Sequence, residues 1–78
     1  MNILLTYAQT GNAGLAKRYC EINNVTHFEV DRGDRRGEWY IWEMTRSSAG
    51  FKIGPHPTKR SAMRDCVKMA SISGLPIK

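Results

Sequence analysis

Two cysteines and two histidines are all the thiol and imidazole metal ligands that this chain of 78 residues offers. Cys20 and Cys66 stand far apart, with no CxxC and no second pair, so no zinc spacing is present. Long apolar runs are also missing. The longest uncharged stretch, Asn2 to Ala16, is broken by Gln9, Thr10, Gly11, Asn12 and Gly14. Neither a transmembrane helix nor a signal peptide is expected from it. Length is short as well: a chain of this size buries only about 60–65% of its unfolded surface. Doubly wound nucleotide folds, barrels and most multi-residue clefts are thereby excluded, and a single domain over residues 1–78 is expected. Acidic residues are the last scarcity. Seven Asp and Glu face twelve Lys and Arg, for a net charge of +5 and a pI near 9.6. Such a balance suits an anionic partner, either nucleic acid or an acidic or nucleic-acid-binding protein surface, and no membrane partner is expected.

What is present is ordinary for a globular domain, with 41% hydrophobic and 9% aromatic residues, enough to seed a core. Asn2 to Ala8 is a short apolar run compatible with a buried strand, although periodicity alone does not separate it from helix. Asn12 is a fit N-cap for an amphipathic helix over Ala13 to Asn23. Leu15, Tyr19 and Ile22 fall at i, i+4, i+7 with Ala16 and Cys20 beside them, and Lys17, Arg18 and Glu21 lie opposite. Thr26 to Arg32 alternates, Phe28 and Val30 to one side and His27, Glu29 and Asp31 to the wet side. Glu38 to Arg46 is the strongest strand pattern, with Tyr40, Trp42 and Met44 on one face and Trp39 and Ile41 on the other. After Ser47-Ser48-Ala49-Gly50, Phe51-Lys52-Ile53 completes an antiparallel meander. Gly54-Pro55-His56-Pro57 lacks two ladder donors and is expected to end it. Thr58 caps a second helix, Lys59 to about Ser71, whose stripe is Ala62, Met63, Cys66, Val67 and Ala70 with Met69 at the margin; Gly74 and Pro76 stop it. The expected fold is α+β, an antiparallel sheet of three to four strands with two helices on it, in the order (β)αβββα. Each cysteine sits on the apolar side of a helix, which predicts buried reduced thiols and a cytoplasmic setting.

Charge placement singles out two clusters. Lys59 and Arg60 open the second helix, where the macrodipole and free amides favour acids. Arg60, Arg64 and Lys68 then repeat at i, i+4, i+8, a like-charge spacing that costs a few tenths of a kcal/mol per pair. With the Thr58 hydroxyl, this helix start is a candidate phosphate or carboxylate site; the plainer reading is a solvated face softened by Asp65. The second cluster is the turn Arg32-Gly33-Asp34-Arg35-Arg36-Gly37, whose three guanidinium forks suit a phosphate backbone or an acidic partner, or simply solubilise the turn. Its Arg32-Gly33-Asp34 matches an integrin-binding tripeptide by chance. Trp39 and Trp42 face opposite sides of one strand. Burial under the two helices is the default for both, and a Trp left uncovered beside arginines suits base stacking or a protein contact.

Catalysis has little to draw on. His27 is on a wet strand face and His56 lies between prolines, and neither pairs a nucleophile with an orienting carboxylate at a recognisable spacing. Glu29, Asp31, Glu38 and Glu43 gather across the hairpin, where salt bridges to the arginines are the simpler expectation. No enzyme activity and no cofactor are expected.

Two resemblances bear on function. Leu4-Leu5-Thr6-Tyr7-Ala8-Gln9-Thr10-Gly11-Asn12 resembles the strand and phosphate loop of flavodoxin-like proteins, but Ala13 replaces the usual hydroxyl residue and the chain is too short for that sheet, so FMN is not expected. Glu38 to Ala70, a tryptophan strand, a short strand and then Pro57-Thr58-Lys59-Arg60-Ser61-Ala62 entering a helix, resembles small three-strand-plus-helix domains. These include the arm-type DNA-binding domains of tyrosine recombinases and tiny phage-encoded accessory proteins. The resemblance implies a sheet that enters the DNA major groove, with Tyr40, Trp42, Arg46 or Lys52 near bases and Arg35 and Arg36 near phosphates. Nucleic-acid binding through hairpin, sheet face and helix N-terminus is the leading expectation. A phage-type accessory protein that binds and regulates a host protein complex in the host cytoplasm is the alternative.

Overall fold

Alternating apolar residues between Val25 and His56 produce a three-stranded antiparallel sheet, seen in a computed structural model that describes residues 3–47 and 49–78. Strands β1 (Val25–Arg32), β2 (Trp39–Thr45) and β3 (Ala49–His56) lie in chain order, with β2 central. Phe28 pairs with Glu43, Val30 with Ile41, and Ile41 also with Ile53. Because side chains alternate across a strand, this register sets Phe28, Val30, Trp39, Ile41, Glu43 and Ile53 on one face. His27, Glu29, Asp31, Tyr40, Trp42, Met44 and Lys52 fall on the other. Helices cover only the first face, where Phe28 and Ile41 are fully buried. The class is α+β, as the alternation predicts.

Three helices build that cover instead of two: α1 (Ile3–Thr10), α2 (Ala13–Ile22) and α3 (Lys59–Ser73). The opening run is thus helix from Ile3 onward and not a strand; Asn2 lies outside the described residues. Leu4 is fully buried, and Leu5, Tyr7 and Ala8 pack against the core, a helical spacing selected by tertiary contact. Gly11 ends α1 at φ 74°, donating its N–H to the Ala8 carbonyl at 3.4 Å while Asn12 donates to Tyr7 at 2.9 Å. That pair of bonds is a Schellman stop. The segment resembling a flavodoxin-like phosphate loop is therefore a helix and its cap.

The apolar stripes of α2 and α3 are both rotated from expectation. Ala16 and Cys20 are buried in α2, whereas Leu15 is 44% and Ile22 69% exposed. Small side chains let the helix backbone approach closely, so the Ala16–Cys20 line faces inward. In α3 the buried line is Ala62, Cys66, Met69, Ala70 and Ser73, which makes Met69 central and leaves Val67 51% exposed. Thr58 and Gly74, the latter at φ 72°, cap α3 as predicted.

The ladder also runs further than the prolines suggest. β3 continues through Pro55 to His56, which pairs with Trp39 across an irregularity in register. β3 is an edge strand, where a missing proline donor is tolerated. Gly54 accommodates the irregularity at φ 141°, and a Cβ there would come within 2.8 Å of the Trp39 carbonyl oxygen. At the opposite edge the chain end lies along β1: Phe28 donates to the Pro76 carbonyl at 3.0 Å and accepts from Lys78 at 2.8 Å. Ser48 lies outside the described residues.

Candidate functional site

The two basic clusters meet where β1 turns into β2. Trp39, the first residue of β2, is paired with Arg32 on one side and His56 on the other. Since β3 leads directly through Pro57 and Thr58 into α3, this register brings the first turn of α3 beside the β1–β2 turn. The Pro57 carbonyl oxygen lies 3.7 Å from where a Cβ on Gly37 would stand. Two cations pack against the Trp39 indole: the Arg32 guanidinium carbon at 5.7 Å and the Lys59 ammonium at 6.0 Å from the ring centre. Contacts of this length contribute about 0.5–1 kcal/mol at exposed sites. They are enough to orient the side chains, not to hold the fold.

Two acids that flank the turn bond to its backbone, while Asp34 within it is exposed. Asp31 Oδ1 accepts the Arg32 N–H at 2.8 Å, and Glu38 Oε1 accepts the Arg35 N–H at 3.2 Å. Arg35 and Arg36 are exposed, and among the described residues no arginine or lysine forms an ion pair. The salt bridges expected across the hairpin are therefore not formed there. Glu43 does not join the acidic group at all. It follows Trp39 and Ile41 onto the covered face, is fully buried, and accepts a hydrogen bond from the Tyr19 hydroxyl at 2.8 Å.

On α3, Arg60, Arg64 and Lys68 point outward and are exposed, and with Lys59, Met63 and Val67 they line an open groove. Asp65, the only acid of the helix, does not soften this face: its Oδ2 lies 2.9 Å from Nε2 of His56. Thr58 serves the helix and not a ligand. Its Oγ1 accepts the Ser61 N–H at 3.1 Å, and Ser61 Oγ accepts the Thr58 N–H at 3.3 Å. This capping box occupies two of the donors that an anion would otherwise meet.

The open face of the sheet holds Tyr40, Trp42 and Lys52. The Lys52 ammonium lies 4.4 Å from the Tyr40 ring centre and 5.7 Å from that of Trp42. Directly across the strands, Glu29 pairs with Trp42 and Asp31 with Tyr40, so the face is electrically mixed. Trp42 is thus not covered by helices, contrary to the default for both tryptophans, because all three helices occupy the other side. Arg46 is separate from all of this. It follows Thr45 at the far end of β2, about 20 Å from Trp39 along the strand, and lines a depression with Lys17 and Glu21.

Each histidine does have a carboxylate partner, which sequence spacing did not reveal: His27 Nε2 lies 2.9 Å from Glu29 Oε2, and His56 pairs with Asp65. A side chain two residues on in a strand shares a face, and His56 reaches α3 only because β3 extends through Pro55. The cysteines are buried and free. Burial pushes both thiols up to about 11, the Glu43 carboxylate adding to the effect on Cys20 while a hydrogen bond with Ser73 opposes it. Burial and the Glu43 hydrogen bond also raise the Tyr19 phenol. Among the described residues no group of three His, Cys, Asp or Glu side chains is placed to hold a metal ion. No helix there is long and apolar enough to cross a membrane.

Trp39, Met63 and Val67 are the site residues that the sequence pattern assigned to the core. The available signal was the lysine and arginine in the first turn of α3, immediately after a strand that must end beside Trp39. No protein-family model, curated protein or solved structure matches this chain.

Proposed function

We propose that this chain is a small non-catalytic module of the cytoplasm that binds nucleic acid through its phosphate backbone, at the end where the β1–β2 turn meets α3. The observation that carries this reading is the Trp39 ring with Arg32 and Lys59 packed against it, which joins two clusters distant in sequence into one basic surface. Arg35 and Arg36 extend that surface along the turn, and Arg60, Arg64 and Lys68 extend it along α3. Phosphate oxygens form strong charge-assisted bonds with such cations, and here no internal ion pair has to break first. Asp31 and Glu38 are engaged by backbone N–H groups and Asp65 by His56, which lowers the repulsion a polyanion would meet and leaves the exposed Asp34 among these cations. In this reading Tyr40, Trp42, Lys52 and Arg46 are not primary contacts.

The test is affinity against salt. Neutralising about four phosphates of duplex DNA gives a slope near −3.6 in log K against log salt. The pairs Arg35→Glu/Arg36→Glu and Arg60→Glu/Arg64→Glu should each weaken binding and lower that slope by about 2. Binding that ignores salt overturns the reading. A parent chain that shifts neither DNA nor RNA, yet retains one lysate protein lost in only one variant, points instead to the protein-regulator alternative.

A further inference from the structure

We infer that α3 enters the major groove of duplex DNA and reads it with its outward side chains, an inference that rests on the nucleic-acid reading above. Phosphate binding leaves the apolar part of this surface unexplained. Val67 is 51% exposed and, with Met63, forms the floor between Arg60, Arg64 and Lys68. Packing does not demand them there, because Ala62, Cys66, Met69 and Ala70 already seat the helix. A surface made for phosphates alone gains nothing from a branched aliphatic side chain facing water.

The major groove of B-DNA offers chemistry for every part of this face. It is about 12 Å wide and admits a helix of about 10–12 Å diameter. Guanine O6 and N7 accept a guanidinium fork, thymine presents a methyl group to apolar side chains, and phosphates line both walls. Arg60 and Arg64 are one turn apart, about 6 Å along the axis, close to two base steps of about 3.4 Å. The Asp65 carboxylate, which would repel the base-pair acceptors, is held by His56. A-form RNA has a deep, narrow major groove that side chains cannot read, and a single strand has no groove. An acidic amphipathic helix also matches a cation-rimmed apolar floor. DNA is favoured because the cations continue beyond α3 onto the turn where Gly37 meets Pro57, and a duplex presents phosphates on both sides of the groove that α3 would occupy.

The experiment is fluorescence anisotropy of the full chain with four probes. These are a DNA duplex enriched from a pool with a randomised centre, the same duplex with deoxyuridine for thymidine, the same sequence as duplex RNA, and its single DNA strand. The enriched duplex should show a sequence consensus, and RNA and single strand should bind about tenfold more weakly. Removing the thymine methyls should weaken binding to the parent, and Val67→Ser should abolish that difference while leaving thermal unfolding unchanged. Arg64→Ala should relax the preference at one base position. Equal affinity for all four probes, with Val67→Ser indistinguishable from the parent, overturns the inference and leaves phosphate binding standing. Absence of binding to every probe overturns both.

Discussion

The outward face of α3 and the open face of the sheet lie on opposite sides of the molecule, and both set cations beside apolar side chains. On the sheet, Lys52 rests over Tyr40 and Trp42, and the same face carries Glu29 and Asp31 on the far side of those rings, so cation and acids share it. On α3 the only acid is drawn away to His56, and Arg60, Arg64 and Lys68 are left without ion partners among the described residues. A basic surface is therefore decided less by how many cations a segment carries than by where its acids go. The α3 arrangement costs a few tenths of a kcal/mol for each like-charge pair. Its buried line and its two caps offset that cost.

The largest effect should separate the covered face of the sheet from the open one. Phe28→Ala removes a fully buried ring under the helices and should cost about 3–5 kcal/mol. Trp42→Ala, on the uncovered face, should cost about 1 kcal/mol. Urea unfolding of both variants checks this, and a Trp42 loss equal to that of Phe28 would mean that something covers the open face.

The buried side of α2 and α3 gives the next contrast, through pH. The Cys20 and Cys66 thiols ionise near 11 in the fold against an ordinary 9.0. Between those values the unfolded chain releases protons that the native chain keeps, so stability is intact below about pH 9 and falls as pH rises toward 11. The Tyr19 phenol acts in the same direction. Urea midpoints at about pH 8 and about pH 10.5 test the sign, and Cys20→Ala/Cys66→Ala should flatten the fall. A midpoint that does not fall over this range would place both thiols in water.

Most of the sheet and both long helices were legible because alternation, Asn12, Thr58 and Gly74 act locally. Less legible were features that depend on contact between distant segments. The run at Ile3 is too short for its spacing to separate helix from strand, and burial of Leu4 with Leu5, Tyr7 and Ala8 against the core decides for helix, although Gly11 was a readable stop. Glu43 was legible in principle: the alternation that places Trp39 and Ile41 inward places it there too, but a carboxylate argues against burial until Tyr19 is known to meet it. The union of the Arg32 and Lys59 clusters through Trp39 depends on β3 running through Pro55, which no local rule favours.

Rotation of the α2 stripe predicts a smaller effect. Leu15→Ala should change stability by no more than about 0.5 kcal/mol, since Leu15 is 44% exposed and alanine is the better helix former. A loss of about 2–4 kcal/mol, the range for a core leucine, would put Leu15 and Ile22 inward after all.

The smallest expected effect returns to the two opposed faces. Lys52→Glu reverses a charge on the sheet, yet that charge lies over aromatic rings on a face that also carries Glu29 and Asp31, and a polyanion gains little from approaching there. Reversal of Arg64 removes a cation with no acid near enough to answer it. Duplex DNA affinity should therefore be nearly unchanged by Lys52→Glu, with a salt slope altered by well under 1, while Arg64→Glu lowers the slope by about 1. Two titrations against salt at equal protein concentration decide the matter. If Lys52→Glu weakens binding as much as Arg64→Glu, the nucleic acid wraps onto the sheet, and Tyr40 and Trp42 become base-stacking partners. If neither changes it, the anion lies at the Arg35–Arg36 turn alone.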